Sequence, residues 1–349
     1  MTYERNGYSI EISEPTLYVD NQSRKRSGHM SHALAEFAPG KIIDFNSNCT
    51  AVKHGGHGTF GWIEYRISEN AGETYSESFE LPYSREALHD GIYAISVEKA
   101  VACKSGRIVA FCLRNNADGL CQPWDTPMYV SSDDGGKSWN PEKELCEYKG
   151  RIYDALYHNG VIYVLEFCND GTGLFLGEKD EHVYRIYTSR NEGESFEELC
   201  VVPIPTLGRG YGAMLFDDDG SLHVYAYNYN DQEHMDHIKS MDCGKSWSEP
   251  DTIYLKDGIR NPQVAKIDGI YVVHGRNAAL TGFVLYTSLD GQSFDEGLYL
   301  GRVSGTCYYS NNIILKDKNG DNRLLIQYSE NYGVKSCVNV KHVWLKIKK

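Results

Sequence analysis

Charged, imidazole and phenol side chains stand at regular positions in this sequence, just before or just after short runs of β-forming residues. Arg114 and Arg276 each end such a run and Arg260 precedes one, and a guanidinium group pairs with a carboxylate through two parallel hydrogen bonds. We therefore expect an anionic ligand, and an acidic sugar fits this set best. Histidine, tyrosine and carboxyl groups can move protons in catalysis. The candidate catalytic residues are His32, His54, His57, Tyr211 and Glu98, and the candidate substrate-binding residues are Arg114, Arg260, Arg276, His29, Lys99, Tyr153 and Tyr309.

Each of these residues also has a purely structural explanation. A tyrosine at the end of a strand usually packs, and a surface arginine usually forms an ion pair. The stretch from His54 to His57, with two glycines between them, is also typical of a turn. Histidine pairs can bind zinc, but the sequence offers no reliable third ligand. We rank a sugar-binding role first, packing second and metal binding third, and we expect no metal or cofactor.

An internal repeat indicates the elements that position these residues. The pattern Ser-x-Asp-x-Gly-x-Ser/Thr-aromatic is clear at 132–139 and 240–247, and weaker copies occupy 68–75, 189–196 and 288–294. In such a turn the Asp or Asn accepts hydrogen bonds from the local backbone, the glycine takes a positive φ and the aromatic ring packs under the sheet. Asp134 and Asp242 are therefore expected to hold turns together and to take no part in catalysis.

Six hairpins of β-rich runs interleave with this repeat, and helical periodicity is almost absent. Strands with regular turn punctuation predict an all-β protein, and six repeats of four strands predict a six-bladed β-propeller. We expect one domain over residues 1–349. Because the last repeat lacks its own fourth strand, residues 8–19 are expected to supply it. The candidate residues then lie at one end of the central channel, opposite the Asp-containing turns.

These turns resemble the Asp boxes of the sialidase superfamily, and the resemblance extends over essentially the whole chain. It implies the propeller fold but not sialidase activity, because binding proteins and lyases of the superfamily carry the same boxes. Sialidases hold the substrate carboxylate with three arginines and use a Tyr nucleophile paired with a Glu, with an Asp as acid and base. At the matching positions in blade one this chain has His29 and His32, then His54 and His57, whereas Arg276 matches a family arginine.

The substitutions are more similar to polysaccharide lyases of the same superfamily, the ulvan lyases and the rhamnose–glucuronate lyases. Those enzymes place two histidines about one blade apart, followed by an arginine that neutralises the uronate carboxylate. Here His32 and His54 are 22 residues apart, and Arg114 follows 60 residues later. β-Elimination needs such a cation, a base near neutrality and an acid for the leaving oxygen. The lyases carry a tyrosine where this chain has Glu98, so Tyr153 or Tyr211 would have to replace it.

Composition limits the partners. The chain has 35 basic and 48 acidic residues, a net charge of −13, which argues against nucleic acid as the ligand. Residues 1–13 carry no secretory signal and no apolar run reaches the length of a membrane span, so we expect a cytoplasmic protein with reduced thiols and no membrane partner. The sequence thus predicts an enzyme that cleaves an acidic oligosaccharide beside a uronate by β-elimination. A sialidase-type hydrolase with altered residues and a non-catalytic glycan-binding propeller are the alternatives, and the oligomeric state is open.

Overall fold

The computed structural model describes residues 1–29, 32–50, 61–89, 93–116, 125–171, 175–303, 308–333 and 337–349. Within these ranges the strands form six antiparallel sheets. The innermost strand of each sheet contacts the innermost strand of the next, and the sixth returns to the first, so the sheets surround a central channel. The predicted all-β, six-bladed propeller is confirmed.

The strands follow one another blade by blade along the chain. The amino-terminal segment forms β1 (Thr2–Arg5), β2 (Tyr8–Ile12) and β3 (Thr16–Val19). Blade one contains β4 (Arg26–Ser27), β5 (Leu34–Ala38), β6 (Lys41–Thr50), β7 (Gly61–Ser68) and β8 (Phe79–Glu80), and the helix α1 (Pro82–His89) follows it. Blade two contains β9 (Tyr93–Ala102), β10 (Ile108–Asn116), β11 (Met128–Ser132) and β12 (Lys143–Glu144).

The remaining blades share one four-strand plan. Blade three contains β13 (Gly150–His158), β14 (Val161–Cys168), β15 (Val183–Ser189) and β16 (Glu197–Val201). Blade four contains β17 (Arg209–Phe216), β18 (Leu222–Asn228), β19 (His234–Ser240) and β20 (Asp251–Tyr254). Blade five contains β21 (Arg260–Ile267), β22 (Ile270–Arg276), β23 (Phe283–Ser288) and β24 (Leu298–Gly301). Blade six contains β25 (Ser310–Lys316), β26 (Asn322–Asn331) and β27 (Val338–Lys348).

Blade six is completed by strands from the other end of the chain. Strand β2 pairs antiparallel with β27, with Ile10 opposite Ile347, and β1 adds outside β2. Strand β3 pairs with a different part of β27. The ring is therefore held together by hydrogen bonds between the first and the last strands.

The core lies between the blades. Second strands such as β14 are buried along their whole length because each blade packs between two neighbours, which explains their nearly continuous apolar sequence. Aromatic rings fill the gap between blades five and six, where Phe283 stacks on Tyr328 with ring centroids 4.5 Å apart. No described helix has the length and apolar character needed to cross a membrane.

All five copies of the repeat form the predicted turns. Asp134 Oδ1 accepts hydrogen bonds from the backbone N–H groups of Lys137 and Ser138, each at 2.9 Å, and Ser138 Oγ donates to Oδ2 at 2.6 Å. These bonds, led by that from the Ser138 hydroxyl, lower the pKa of Asp134 to about 2. Asp242 repeats the arrangement, and Asn191 makes the equivalent bonds in blade three. The Asp side chains of these turns are thus held by hydrogen bonds from their own turn.

Candidate functional site

A pocket lies between the first residues of the innermost strands, at one end of the channel. Residues of blades two to six, and the residue that precedes β5 in blade one, contribute to its lining. Six of the residues proposed from sequence line it: His32, Glu98, Lys99, Tyr153, Tyr211 and Tyr309.

Three more of the proposed residues contact the lining side chains. His29 packs edge-on against Tyr309, with ring centroids 5.0 Å apart. The guanidinium group of Arg276 lies 5.7 Å from the centre of the same tyrosine ring. The guanidinium group of Arg260 lies 5.8 Å from the centre of the Tyr211 ring. The structure therefore gathers nine of the proposed residues into one site.

Arg151, at the start of β13, belongs to this site but was not predicted. Its Nε and one terminal nitrogen lie 3.1 and 2.8 Å from Glu98 Oε2, and both side chains are almost completely buried. Burial raises the pKa of Glu98 even beside this cation. Its position in the sequence could have predicted this, because Arg151 lies at the start of an innermost strand as Arg260 does. The Glu98 carboxylate serves first as the counter-ion of Arg151.

Lys99 ties four blades together at the pocket floor. Its Nζ lies 3.0 Å from Asp154 Oδ1 and 2.5 Å from Gln263 Oε1, and it also donates to Asn311 Oδ1. The other Asp154 oxygen accepts a hydrogen bond from the backbone of Met214 at 2.7 Å. Since an ammonium group has three N–H bonds, these acceptors occupy all of them. Lys99, expected to bind substrate, therefore contributes to the site mainly as an internal ion pair.

Arg260 and Arg276 have no carboxylate partner among the described residues, and their Nε atoms are buried without a hydrogen bond. They face each other directly across strands β21 and β22. Like charges in this relation destabilise a sheet. Arg209 starts the innermost strand of blade four in the same way, but it faces Asn228 and forms a 2.6 Å ion pair with Asp236. The blade-five pair thus carries positive charge that the described chain does not balance.

Tyr211 and Tyr309 both line the pocket beside this charge. Arg260 and the neighbouring Tyr309 hydroxyl both favour the ionised form of Tyr211. Burial alone would raise the pKa of Tyr211, but the Arg260, Arg151 and Arg276 guanidinium groups outweigh burial and lower it. Burial raises the pKa of Tyr309. Of the two phenols, Tyr211 is therefore the one that ionises first.

The two described histidines of the set are neutral side chains. Burial, reinforced by Arg276, lowers the pKa of His29 to about 3. Burial also lowers the pKa of His32 to about 4, although a 3.2 Å contact with Gln327 opposes this. The Nε2 atom of His32 is buried and has no hydrogen-bond partner within the described ranges. His54 and His57 lie outside the described residues.

The backbone is strained where blades five and six enter the pocket. Asn261 and Tyr308 have φ values of 57° and 70°, which are unfavourable for residues other than glycine. Asn261 follows Arg260, and Tyr308 precedes Tyr309. The buried side chain of Asn261 has no described partner for either Nδ2 or Oδ1. Such unsatisfied amide atoms, which sequence reasoning missed, are available to a polar ligand.

The structure does not bring Arg114 to the pocket. Its guanidinium group donates to Thr126 at 2.7 and 3.2 Å and lies 3.2 Å from the Asp125 carboxylate, just before the third strand of blade two. The β-bulge of this blade lies in β9, where Glu98 is the extra residue opposite Phe111 and Cys112, so it does not change the alternation of side chains along β10. Arg114 is instead held by the residues that precede β11, and its position at the end of a strand does not reveal these partners.

The site is suited to an organic anion. Within the described ranges no group of three or more His, Cys, Asp or Glu side chains is arranged to hold a metal ion. The lining instead includes several phenols and the neutral imidazole of His32, and behind it Arg260 and Arg276 have no carboxylate partner among the described residues. Guanidinium groups bind and polarise a carboxylate, and the phenol pair can take up and release a proton.

Comparison with known proteins identifies the fold. No protein-family model matches this chain, and no curated protein sequence matches it significantly. A protein of unknown function from Dyadobacter fermentans is similar in structure, with a TM-score of 0.72 at 14% identity, covering 97% of this chain and 99% of that one. A variant of the NanB sialidase from Streptococcus pneumoniae has a TM-score of 0.69 at 11% identity, covering 95% and 70%. A Hadza microbial sialidase has a TM-score of 0.67 at 13% identity, covering 96% and 68%. The chain therefore has a sialidase-like propeller fold.

Proposed function

We propose that this protein is a carbohydrate-active enzyme that cleaves a glycosidic bond beside a uronate by β-elimination. The observation that carries the proposal is the pair Arg260 and Arg276, whose adjacent charges have no carboxylate partner in the described chain. A carboxylate bound there would remove the repulsion between them and fill their unused Nε donors. In a protein of net charge −13, positive charge left unbalanced inside a pocket favours an anionic ligand.

The phenol pair supplies the proton chemistry of this proposal. The ionised Tyr211 oxygen takes the proton from the carbon next to the bound carboxylate, and Arg260 and Arg276 stabilise the negative charge that develops on the carboxylate. The electron pair of that C–H bond forms the new carbon–carbon double bond, and the bond to the leaving oxygen breaks. Tyr309 gives its proton to that oxygen. Proton exchange between the two phenols, which line the same pocket, then returns the proton from Tyr211 to Tyr309.

The neutral histidines have a positioning role in this proposal. His29 packs against the Tyr309 ring, and His32 presents its unpartnered Nε2 atom as a hydrogen-bonding group for the sugar. Histidine catalysis by His54 or His57 stays a prediction.

A hydrolase is the second candidate, and the presence of Tyr309 and Tyr211 together in the pocket lining is the observation that favours it. The two sialidases compared above share the fold, and the resemblance assigns sialidases a tyrosine nucleophile. Tyr309, at the start of the innermost strand of blade six, would attack the sugar carbon, and Tyr211 would accept its proton in place of the family's glutamate.

One assay separates these functions. The protein is incubated with glucuronate- and galacturonate-containing oligosaccharides and with sialyl-oligosaccharides, while the ultraviolet absorbance of an unsaturated uronide and the release of reducing sugar are followed together. Absorbance and reducing ends rising together support the lyase. Reducing ends or free sialic acid without absorbance would replace it with the hydrolase, and binding without either would replace it with a glycan-binding propeller. Arg276→Gln is expected to abolish the reaction, whereas the control Arg209→Lys, which keeps a positive charge beside Asp236, should leave it unchanged.

A further inference from the structure

The Tyr211 side chain lies among three cations. The guanidinium centres of Arg151 and Arg260 each lie 5.8 Å from the Tyr211 ring centre, and Arg276 approaches from the neighbouring Tyr309. The titratable and charged groups around Tyr211 come from every adjoining element: Arg151 and Tyr153 of β13, Tyr227 of β18, Arg260 of β21, Arg276 of β22, and Tyr309. Glu98 and His29 stand behind Arg151 and Tyr309.

The only carboxylate in this group is already engaged. Glu98 is the counter-ion of Arg151, and within the described residues no Asp or Glu forms an ion pair with Arg260 or Arg276. Arg260 and the Tyr309 hydroxyl both favour the ionised form of Tyr211. In the empty site, the Tyr211 phenol, once ionised, is therefore the negative charge available to the blade-five arginines.

We propose that an anionic ligand and ionised Tyr211 compete for the same arginines, so that the ligand binds together with a proton. The class of ligand, a uronate, rests on the proposed function, but the competition rests only on the geometry of Tyr211 and its arginines. When a carboxylate neutralises Arg260 and Arg276, the positive field that favours the phenolate is lost and Tyr211 ionises at higher pH. By thermodynamic linkage, ionisation of Tyr211 lowers the affinity for the ligand by the same factor by which the bound ligand lowers the ionisation constant of Tyr211.

This coupling has a consequence for catalysis. The oxygen of Tyr211 becomes a stronger base when the substrate carboxylate has arrived, because the charges that stabilised its ionised form now face the substrate. The pH profile of kcat/KM reports the ionisation of the catalytic base in the free enzyme, and the pH profile of kcat reports its ionisation in the enzyme–substrate complex. The acid-side fall of kcat is therefore expected at higher pH than that of kcat/KM.

The first test needs no ligand. Ionisation of tyrosine is followed by tyrosinate absorbance against pH in the parent, in Tyr211→Phe and in the matched control Tyr225→Phe. Tyr225 is also fully buried, and burial raises its pKa. The absorbance transition at the lowest pH should be absent from Tyr211→Phe and present in the parent and in Tyr225→Phe. In Arg276→Gln and in Arg260→Gln its midpoint should rise by about one pH unit or more, as expected for losing a nearby opposite charge. An unchanged midpoint in both variants overturns the coupling.

The second test adds the ligand. At the measured midpoint, D-glucuronate should suppress the tyrosinate absorbance and bind with net proton uptake, seen as a binding enthalpy that depends on the buffer, whereas D-glucose should do neither. In Tyr211→Phe, glucuronate should still bind but without proton uptake. Binding in the parent with no change in absorbance or protonation overturns the coupling. Failure of glucuronate to bind at all contradicts the uronate function instead, while the arginine variants still decide the coupling.

Discussion

The two ends of the propeller differ in how their polar groups are satisfied. At the end with the Asp boxes, the Asp134 carboxylate accepts four hydrogen bonds from its own turn, at 2.6 to 2.9 Å. At the other end, Arg260 and Arg276 have unused donors, the Asn261 amide has no described partner, and the backbone is strained at Asn261 and Tyr308.

This difference separates structural from functional residues. Unsatisfied buried groups cost free energy, so a folded protein keeps them mainly where a ligand completes them. The pocket contains both kinds of residue, however. The ion pair of Lys99 with Asp154 is internally complete, whereas the arginines of blade five are not. Polar groups with partners and polar groups without them therefore occur together within the site.

The largest effect is expected for Tyr211→Phe. Removing the base should lower turnover of a uronate oligosaccharide about 10²–10⁴-fold, while the far-ultraviolet circular dichroism stays unchanged. Tyr225→Phe is the control, because it removes a phenol that does not line the pocket. Equal turnover in both variants would mean that Tyr211 is a packing residue and that another residue of the pocket acts as the base.

Lys99→Met should destabilise the fold by about 3–5 kcal/mol, because it leaves Asp154 buried without its counter-ion. Urea unfolding measures the change. Lys239→Met is the control, since its 3.6 Å pair with Asp219 is largely exposed and should contribute little. If Lys99→Met is as stable as the control but loses ligand binding, Lys99 belongs with the groups that serve the ligand.

Arg260→Lys and Arg276→Lys should each weaken the binding of D-glucuronate roughly tenfold, because lysine keeps the charge but not the paired donors. Calorimetric titration gives the affinity. Arg209→Lys changes the equivalent strand start in blade four, where the arginine is already paired with Asp236. It should bind glucuronate like the parent, and a loss as large as in Arg260→Lys would remove the distinction between paired and unpaired arginines.

The smallest effect is expected for Asp134→Asn. Asn191 already fills this position in blade three, so the turn should form at pH 7 and turnover per folded molecule should not change. Because the pKa of Asp134 is about 2 in the folded state and near 4 when unfolded, its contribution to stability is present above pH 4 and is lost as the pH falls from about 4 to about 2.

Thermal unfolding at a series of pH values should therefore show a shallower acid loss for Asp134→Asn than for the parent. Asp134→Ala, which cannot form the turn, should be less stable at every pH. A strong loss of turnover in folded Asp134→Asn would mean that catalysis takes place at the Asp-box end of the channel.

Most of the fold was predictable because its signals are local. The Asp-box turns at 132–139 and 240–247 depend on side chains that bond to their own backbone, and each marks the end of one blade. Counting them with the hairpins gives six blades without knowledge of any long-range contact. The helix α1 was missed, because eight residues between two blades leave too short a periodic signal.

The site was less predictable because it depends on register and on partners. Position at a strand start identified Tyr211 and Arg260, but it did not say that Arg151 would also line the pocket or that Thr126 and Asp125 would hold Arg114 away from it. The sequence also cannot tell that Arg209 has a carboxylate partner and Arg260 none, since Asp236 lies on another strand. Whether an arginine of this site can bind a ligand depends on whether it already has such a carboxylate partner.

The closure of blade six constrains the order of events during synthesis. Strand β2 is made before its partner β27, which follows more than 300 residues later. Until then β2 must remain unpaired or pair elsewhere, and such long-range pairing is intrinsically slow. The edge of β27 is equally open to a strand of another chain until β2 docks. The step that seals the ring is thus also the step at which the newly made protein is most exposed to aggregation.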